Sequence, residues 1–287
     1  MKLVVCASAW TFGSLAACRE QVRSGAFDGV EGGPPLELAA CRELRRELGA
    51  EGTPYIAEIV TGGDYAPPTG VSEARHFTDF EAGVTRALEA GASFATCLTG
   101  SDSWALTRAI DYFGRAHELA RERGLFVAFE THRGRPTFNP WNTRDILRAL
   151  PELRLTCDLS HWCVVCERLV DDEEALELAL SRARHAHARV GYAQGPQVPD
   201  PRAPEHRGDL ERHEGWWTRI WHHARARGDA VVTMTPEFGP DGYLHAAPFT
   251  REPVGDLGDI NRWMAVRLRE TFARFSASSG PPGAPSP

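Results

Sequence analysis

Residues 106–132, LTRAIDYFGRAHELARERGLFVAFETH, carry two periodicities in direct succession. Leu106, Ile110, Phe113, His117 and Ala120 recur every three to four positions, the spacing of one buried face of an α-helix. Gly124 follows where a left-handed C-cap closes such a helix. Leu125–Glu130 is then a short, nearly continuous apolar run that ends on Glu130, Thr131 and His132. A helix that feeds straight into an apolar strand is the repeating half of a parallel sheet covered by helices on both faces.

The same alternation extends to both ends of the chain. Leu3–Ala7, Phe27–Glu31, Tyr55–Val60, Ser93–Leu98, Arg154–Asp158, His185–Val190 and Val231–Glu237 read as strands beside Leu125–Glu130. Helical patterns cover Glu73–Ala90, Leu106–Arg123, Glu173–Arg184 and His213–Arg227, with Gly91 as a second C-cap glycine. Eight strand–helix units in 287 residues average about 36 each. This predicts an α/β fold, a closed (β/α)8 TIM barrel, as a single domain over residues 1–275. An open doubly wound sheet would show a glycine-rich turn after the first strand, and Ala7-Ser8-Ala9-Trp10-Thr11 has none. Gly195–Pro204 (GPQVPDPRAP) is expected as an irregular loop over the end of the seventh strand. Ser276–Pro287 (SASSGPPGAPSP) is expected as a disordered tail.

Composition removes several function classes. The chain has 32 basic and 39 acidic residues, a net charge of −7, which disfavours gripping a nucleic-acid backbone. Lys2 is the only lysine, badly placed for Schiff-base or P-loop chemistry. Seven cysteines form no paired framework, and the apolar run after Lys2 is too short for a signal-peptide core. No stretch approaches the roughly 20 apolar residues of a membrane span. The expected protein is soluble and cytoplasmic, with neither nucleic-acid nor membrane partners.

Working residues of such a barrel sit at the carboxyl ends of the strands. The last four strands end in Glu130, Asp158, His187 and Glu237, and the spacings between them follow the strand–helix unit, stretched once by the proline-rich insertion. Side chains alternate along a strand, so Thr156 and Asp158 share a face, as do Thr233, Thr235 and Glu237. That polar face is expected to point into the barrel, with Leu155, Cys157, Val232 and Met234 toward the helices. Three carboxylates converging at one mouth repel each other unless a cation compensates. Three oxygens and one imidazole suit Mn²⁺, Mg²⁺, Co²⁺ or Zn²⁺, with Mn²⁺ placed first, and not a thiolate-type structural zinc. His185 shares a face with His187, which is preferred as the ligand because it lies nearer the strand end.

The segments ETHRG at 130–134, DLSHW at 158–162, HAHARV at 185–190 and TPEFGP at 235–240 resemble those of the xylose-isomerase-like TIM-barrel superfamily, in members described as sugar phosphate isomerase/epimerase. That superfamily holds sugar isomerases and epimerases, inosose and dehydroshikimate dehydratases, and endonuclease IV. The resemblance spans roughly residues 1–274. It implies that Glu130, Asp158, His187 and Glu237 bind one divalent metal ion and that His161 touches substrate or moves a proton. The departures bear on substrate. His132 stands where hydride-shifting xylose isomerases carry a lysine, and Pro136 and Ala193 stand where tagatose-type 3-epimerases carry glutamate and arginine. Thr61-Gly62-Gly63 and Thr99-Gly100 replace the extra histidines of endonuclease IV.

The expected activity is a metal-dependent isomerase or epimerase of a sugar or related polyhydroxy carbonyl compound, acting through a metal-stabilised enediolate. Glu130, Glu237 and His161 are the candidate proton-transfer groups, and His132, His161 and Arg189 the candidate substrate contacts. If His161 protonates a departing β-hydroxyl, the same first step leads to dehydration of a keto-cyclitol or dehydroshikimate-like compound. A non-catalytic metal- or sugar-binding subunit is the third reading, and a homo-oligomer is a possible assembly. With one lysine and no glycine-rich anion nest, an unphosphorylated sugar or cyclitol is favoured. Trp10, Trp104, Trp141 and Trp162 lie near strand ends, where sugars stack; Trp216, Trp217 and Trp221 read as core or subunit interface. Cys163 and Cys166 are expected to pack, not to bind metal.

Overall fold

The computed structural model describes residues 1–240 and 242–278. Eight parallel strands close on themselves in sequential order. They are β1 (Lys2–Ser8), β2 (Gly29–Gly32), β3 (Tyr55–Val60), β4 (Phe94–Leu98), β5 (Val127–Glu130), β6 (Arg154–Cys157), β7 (Ala183–His187) and β8 (Val231–Thr235). Lys2–Val5 of β1 pair with Val231–Met234 of β8 and shut the barrel. The intervening helices are α1 (Ala9–Phe12), α2 (Leu15–Arg23), α3 (Leu38–Glu51), α4 (Glu73–Glu89), α5 (Leu106–Arg123), α6 (Pro140–Ala149), α7 (Ser160–Val165), α8 (Glu173–Arg182), α9 (Arg207–Arg227) and α10 (Leu257–Ala277). The TIM barrel read from the sequence is the fold observed.

Strand alternation sorts the side chains into two cores. Val4, Cys6, Ile56 and Phe94 form a small cluster inside the barrel, apart from the large one between strands and helices that holds Leu155, Cys157, Val232 and Met234. Above the small cluster the interior turns polar: Thr96 donates to Thr156 at 2.7 Å. The polar face assigned from parity is thus the inner one.

Several boundaries differ from expectation, each for a local reason. The ladder stops at Cys157, His187 and Thr235, short of Asp158, Val190 and Glu237, as side chains and loop backbone, such as Val198 N–H donating to Val190 O at 2.8 Å, take over groups at the mouth. Asp158 N–H, for example, donates to Thr131 Oγ1 at 2.8 Å. Helix α8 ends at Arg182 and runs into β7 without a loop, so strand residues begin two positions before His185. Helix α5 buries Ala109, Tyr112, Phe113, Ala116 and Ala120. Leu106, Ile110 and His117 flank that face, because the small alanines bring the helix close to the sheet along a line displaced from the larger apolar residues. Helix α9 starts at Arg207, not His213, and Pro204 opens a single 3₁₀ turn. Ser276 and Ala277 complete α10 and are not part of a tail; residues 279–287 of the expected tail lie outside the described residues. Trp216, Trp217 and Trp221 are buried within the chain, with Trp221 against Phe272, which excludes the interface reading for them.

Candidate metal centre and active site

Glu130 and His187 are the last residues of β5 and β7; Asp158 follows β6 directly, and Glu237 lies two residues beyond β8. All four are buried, and one ligand-type atom from each lies within 4.8 Å of the others. Asp158 is held hard: its Oδ1 accepts from Ser160 N–H at 3.0 Å and Ser160 Oγ at 2.5 Å, and its Oδ2 from Arg189 Nη2 at 2.5 Å.

The imidazole of His187 is aimed by a residue that the sequence reading passed over. Glu31, at the inward end of β2, accepts from His187 Nε2 at 3.1 Å and from His185 Nε2 at 3.1 Å. Thr235 also donates to Glu31, and Thr233 Oγ1 donates to His185 Nδ1 at 2.7 Å. His185 is therefore fully engaged below the mouth, and His187 presents Nδ1 to the carboxylates. That atom lies 2.9 Å from Glu237 Oε2, 3.5 Å from Glu130 Oε1 and 4.0 Å from Asp158 Oδ2. It is buried, and no oxygen meets it at a hydrogen-bonding angle. A nitrogen lone pair enclosed by three carboxylates calls for positive charge between them, and an O3N donor set of this size fits a divalent cation.

Burial works against a charged His187, but Glu237, Glu31 and Glu130 outweigh it and hold the ring well above the ordinary histidine range, so without a cation this enclosure draws a proton instead. Burial pushes Glu130 up to about 7, opposed by His187 and reinforced by Glu237 and Asp158. Asp158 is also raised by burial, with Arg189 pulling the other way. Burial acts on Glu31 too, but His185 and His187 together hold it well below the usual carboxylate range. One carboxylate is thus locked as an anion beneath the cluster while those in the cluster resist ionising together.

Above the four residues lies a cavity of about 60 Å³, bordered by Glu130 and Glu237 and by Trp10, Glu58, Tyr65, His132, Arg189 and Tyr243. Trp10 reaches it from α1 because Gly239 has no side chain; a Cβ there would fall 1.7 Å from the indole. Of the four tryptophans expected near sugar, Trp10 alone borders this cavity. Trp104 packs on His76, Trp141 is exposed, and Trp162 donates to Thr137 O in the core.

The candidate substrate contacts divide. His132 faces the cavity. Arg189 is no rim residue: it is buried, bound to Asp158, and stacked over Tyr243 at 4.6 Å. His161 is fully enclosed, with its ring centroid 3.9 Å from that of His132. Arg189 Nη2 donates to His161 Nε2 at 2.7 Å, so the ring hydrogen sits on Nδ1, which has no partner. Burial first, then neighbouring cationic groups, hold both imidazoles well below the ordinary histidine range.

Glu31, Glu58 and Tyr65 were not anticipated. The signal for the two carboxylates was available: each interrupts an apolar strand at the parity that faces inward, and a lone acid there needs a partner or a task. The proline-rich segment docks beside the site, where Gln197 accepts from Gly239 N–H at 2.7 Å.

A family model described as a xylose isomerase-like TIM barrel matches residues 19–252. No curated protein matches the sequence significantly. Similar solved structures include a D-tagatose 3-epimerase-like protein, with 13% identity and a TM-score of 0.62, covering 96% of this chain and 100% of that one. A second is the IolI protein with a bound zinc atom, with 12% identity, a TM-score of 0.64 and coverage of 96% and 99%. A third is the probable 3-DHS dehydratase AsbF from Bacillus anthracis, with 14% identity, a TM-score of 0.59 and coverage of 93% and 98%. At these identities the likeness is one of fold.

Proposed function

The chain belongs to the xylose isomerase-like TIM-barrel family, and on that premise we propose that it is a divalent-metal-dependent isomerase or epimerase of a sugar or related polyhydroxy carbonyl compound. The observation that carries this reading is the buried His187 Nδ1, without a hydrogen-bond partner and surrounded by Glu130, Asp158 and Glu237. When bound by these four residues, the cation supplies Lewis-acid polarisation of a carbonyl and its neighbouring hydroxyl, which acidifies the C–H between them. Mn²⁺ is our first choice among Mn²⁺, Mg²⁺, Co²⁺ and Zn²⁺ for an oxygen-rich set; the zinc in the IolI structure keeps Zn²⁺ in the comparison.

Glu130 and Glu237 both border the cavity from different strands. One carboxylate takes the proton from the substrate carbon to give an enediolate. Return by the other gives the epimer, and return at the neighbouring carbon gives the isomer. Arg189 and Ser160 hold Asp158 in place, which leaves the two glutamates as the carboxylates free for proton transfer. His132 reads a substrate hydroxyl at the cavity wall.

A lyase outcome has its own support in His161, whose Nδ1–H is buried and without a partner. With its ring held neutral, that Nδ1–H would serve as a hydrogen-bond donor beside His132, and the proton that leaves with the hydroxyl as water would come from the glutamate that took it from carbon. AsbF, named as a probable dehydratase, shares this fold. The seven cysteines are buried and free, which suits a reducing cytoplasm.

The test is elemental analysis of the purified protein, followed by incubation of the Mn²⁺-loaded protein with keto-sugars and keto-inositols in D2O. Carbon-bound deuterium uptake supports isomerisation or epimerisation; enone absorbance supports dehydration. Glu237→Gln is expected to abolish either. Turnover unaffected by that change removes Glu237 from the mechanism.

A further inference from the structure

Across the cavity from the four clustered residues stands a carboxyl that the metal set does not use. Glu58 points inward from β3, the side of the barrel away from β5–β8, and its open surface faces the cavity. Its recorded partner is a tyrosine: Tyr65 O–H donates to Glu58 Oε2 at 3.3 Å. The aromatic side chains Trp10 and Tyr243 complete this wall, edge to face with centroids 4.9 Å apart.

We propose that Glu58 and Tyr65 form a hydroxyl-reading subsite that selects a neutral polyol end over a phosphate or carboxylate end of the substrate. The proposal rests on the metal-dependent sugar reading above and names the substrate class for it. A carboxyl with one donor already on it offers its second oxygen, as donor or acceptor, to a hydroxyl, which is the complementary group. Glu130 and Glu237 share the cavity with Glu58, so an anionic group placed against Glu58 faces carboxyl groups and finds no lysine to pair with. Arg189, the guanidinium that borders the cavity, is already committed to Asp158. Burial, then Glu237, Glu130 and Glu31, push Glu58 up to about 8, so at neutral pH it carries the proton that a hydroxyl oxygen accepts. The flanking rings of Trp10 and Tyr243 suit the C–H face of a sugar. An end group is thus read by hydrogen bonds and apolar contact, with no charge pairing.

The experiment measures binding of two probes, D-allulose and D-allulose 6-phosphate, to the Mn²⁺-loaded protein through tryptophan fluorescence, with Glu58→Leu and Tyr65→Phe in parallel. The neutral ketose is expected to bind at least tenfold more tightly than its phosphate. Glu58→Leu, which removes both the donor and the acceptor, is expected to weaken the neutral ketose about tenfold, the worth of one hydrogen bond, and to narrow the gap to the phosphate, with Mn²⁺ affinity unchanged. Tyr65→Phe should give a smaller loss in the same direction. Equal binding by wild type and Glu58→Leu overturns the subsite while leaving the sugar reading intact, and tighter binding of the phosphate overturns the selectivity. Failure of the wild type to bind either ketose, with Mn²⁺ in place, overturns the sugar reading and this proposal together.

Discussion

Replacing Glu31 with glutamine isolates the device that aims His187. In the native chain one carboxylate accepts from two imidazoles, each at 3.1 Å, and from the Thr235 hydroxyl. Glutamine keeps the shape but has one accepting oxygen and one donating nitrogen. If its oxygen faces His187, its amide hydrogens confront the Nε2–H of His185; if it turns the other way, His187 loses the acceptor that keeps the hydrogen on Nε2 and frees Nδ1. Either arrangement also removes the negative charge that raises the basicity of the imidazole. Loss of such a supporting partner typically weakens metal affinity 10- to 100-fold, or about 1.4–2.7 kcal/mol. The assay is competition between the protein and a chelator for Zn²⁺ or Mn²⁺ at fixed pH, beside thermal melts of the metal-free proteins. Glu31→Asp, which keeps the charge but shortens the reach, should fall between the two. If Glu31→Gln binds metal within twofold of wild type, the orienting role is wrong. If the wild type itself binds no metal, the four-residue cluster is not a metal centre.

Three other outcomes follow from the same structure. Metal at 100 times its dissociation constant should stabilise the fold by about 2.7 kcal/mol, a rise of roughly 5–10 °C in melting temperature, which EDTA reverses and Glu237→Gln largely removes. His213 is buried, donates from Nδ1 to Asp209 O at 2.9 Å and accepts Gly191 N–H at 3.3 Å; burial, partly offset by the Asp209 carbonyl, lowers it to about 4. Its contribution is therefore complete above pH 6.5 and is lost as pH falls toward 4, about 3 kcal/mol in all, so urea titrations at pH 7 and 4.5 should show a smaller difference in His213→Gln than in wild type. Gly239→Ala should drive the Trp10 indole from its place, costing about 1–3 kcal/mol in unfolding free energy and shifting the tryptophan emission; an unchanged spectrum and melt would contradict the packing.

Much of the barrel was legible because two independent periods coincide in it. Strand alternation put Asp158, His187 and Glu237 on one face, and the unit spacing put them, with Glu130, on successive strand ends. Those rules depend on local backbone geometry alone, and the structure brings the four residues together. Other features depend on which segments meet. Tyr65 and Tyr243 sit on connections far apart in the chain, and no local period announces that they border the same cavity. Glu31 and Glu58 were readable in part, as acids within apolar strands, but their partners His187 and Tyr65 become evident only on closure. The buried stripe of α5 was misplaced because Ala109 and Ala116 weigh little on any hydrophobic scale, yet their small size decides how closely the helix approaches. Arg189 reads from the sequence as a substrate contact because it lies two residues past His187, and nothing local shows that Asp158, Ser160 and His161 engage its guanidinium.

The pairing of β1 with β8 has a consequence for how the molecule is made. As the chain leaves the ribosome, the first strand has β2 on one edge and nothing on the other until nearly all of the remaining chain has emerged. Its free edge is a hydrogen-bonding template throughout that interval. Helix α1, which follows it directly, carries Trp10, whose resting place at Gly239 is synthesised later still. A nascent chain halted before β8 is therefore an open trough with an exposed indole, and the cavity takes shape only once β8 and Gly239 have emerged.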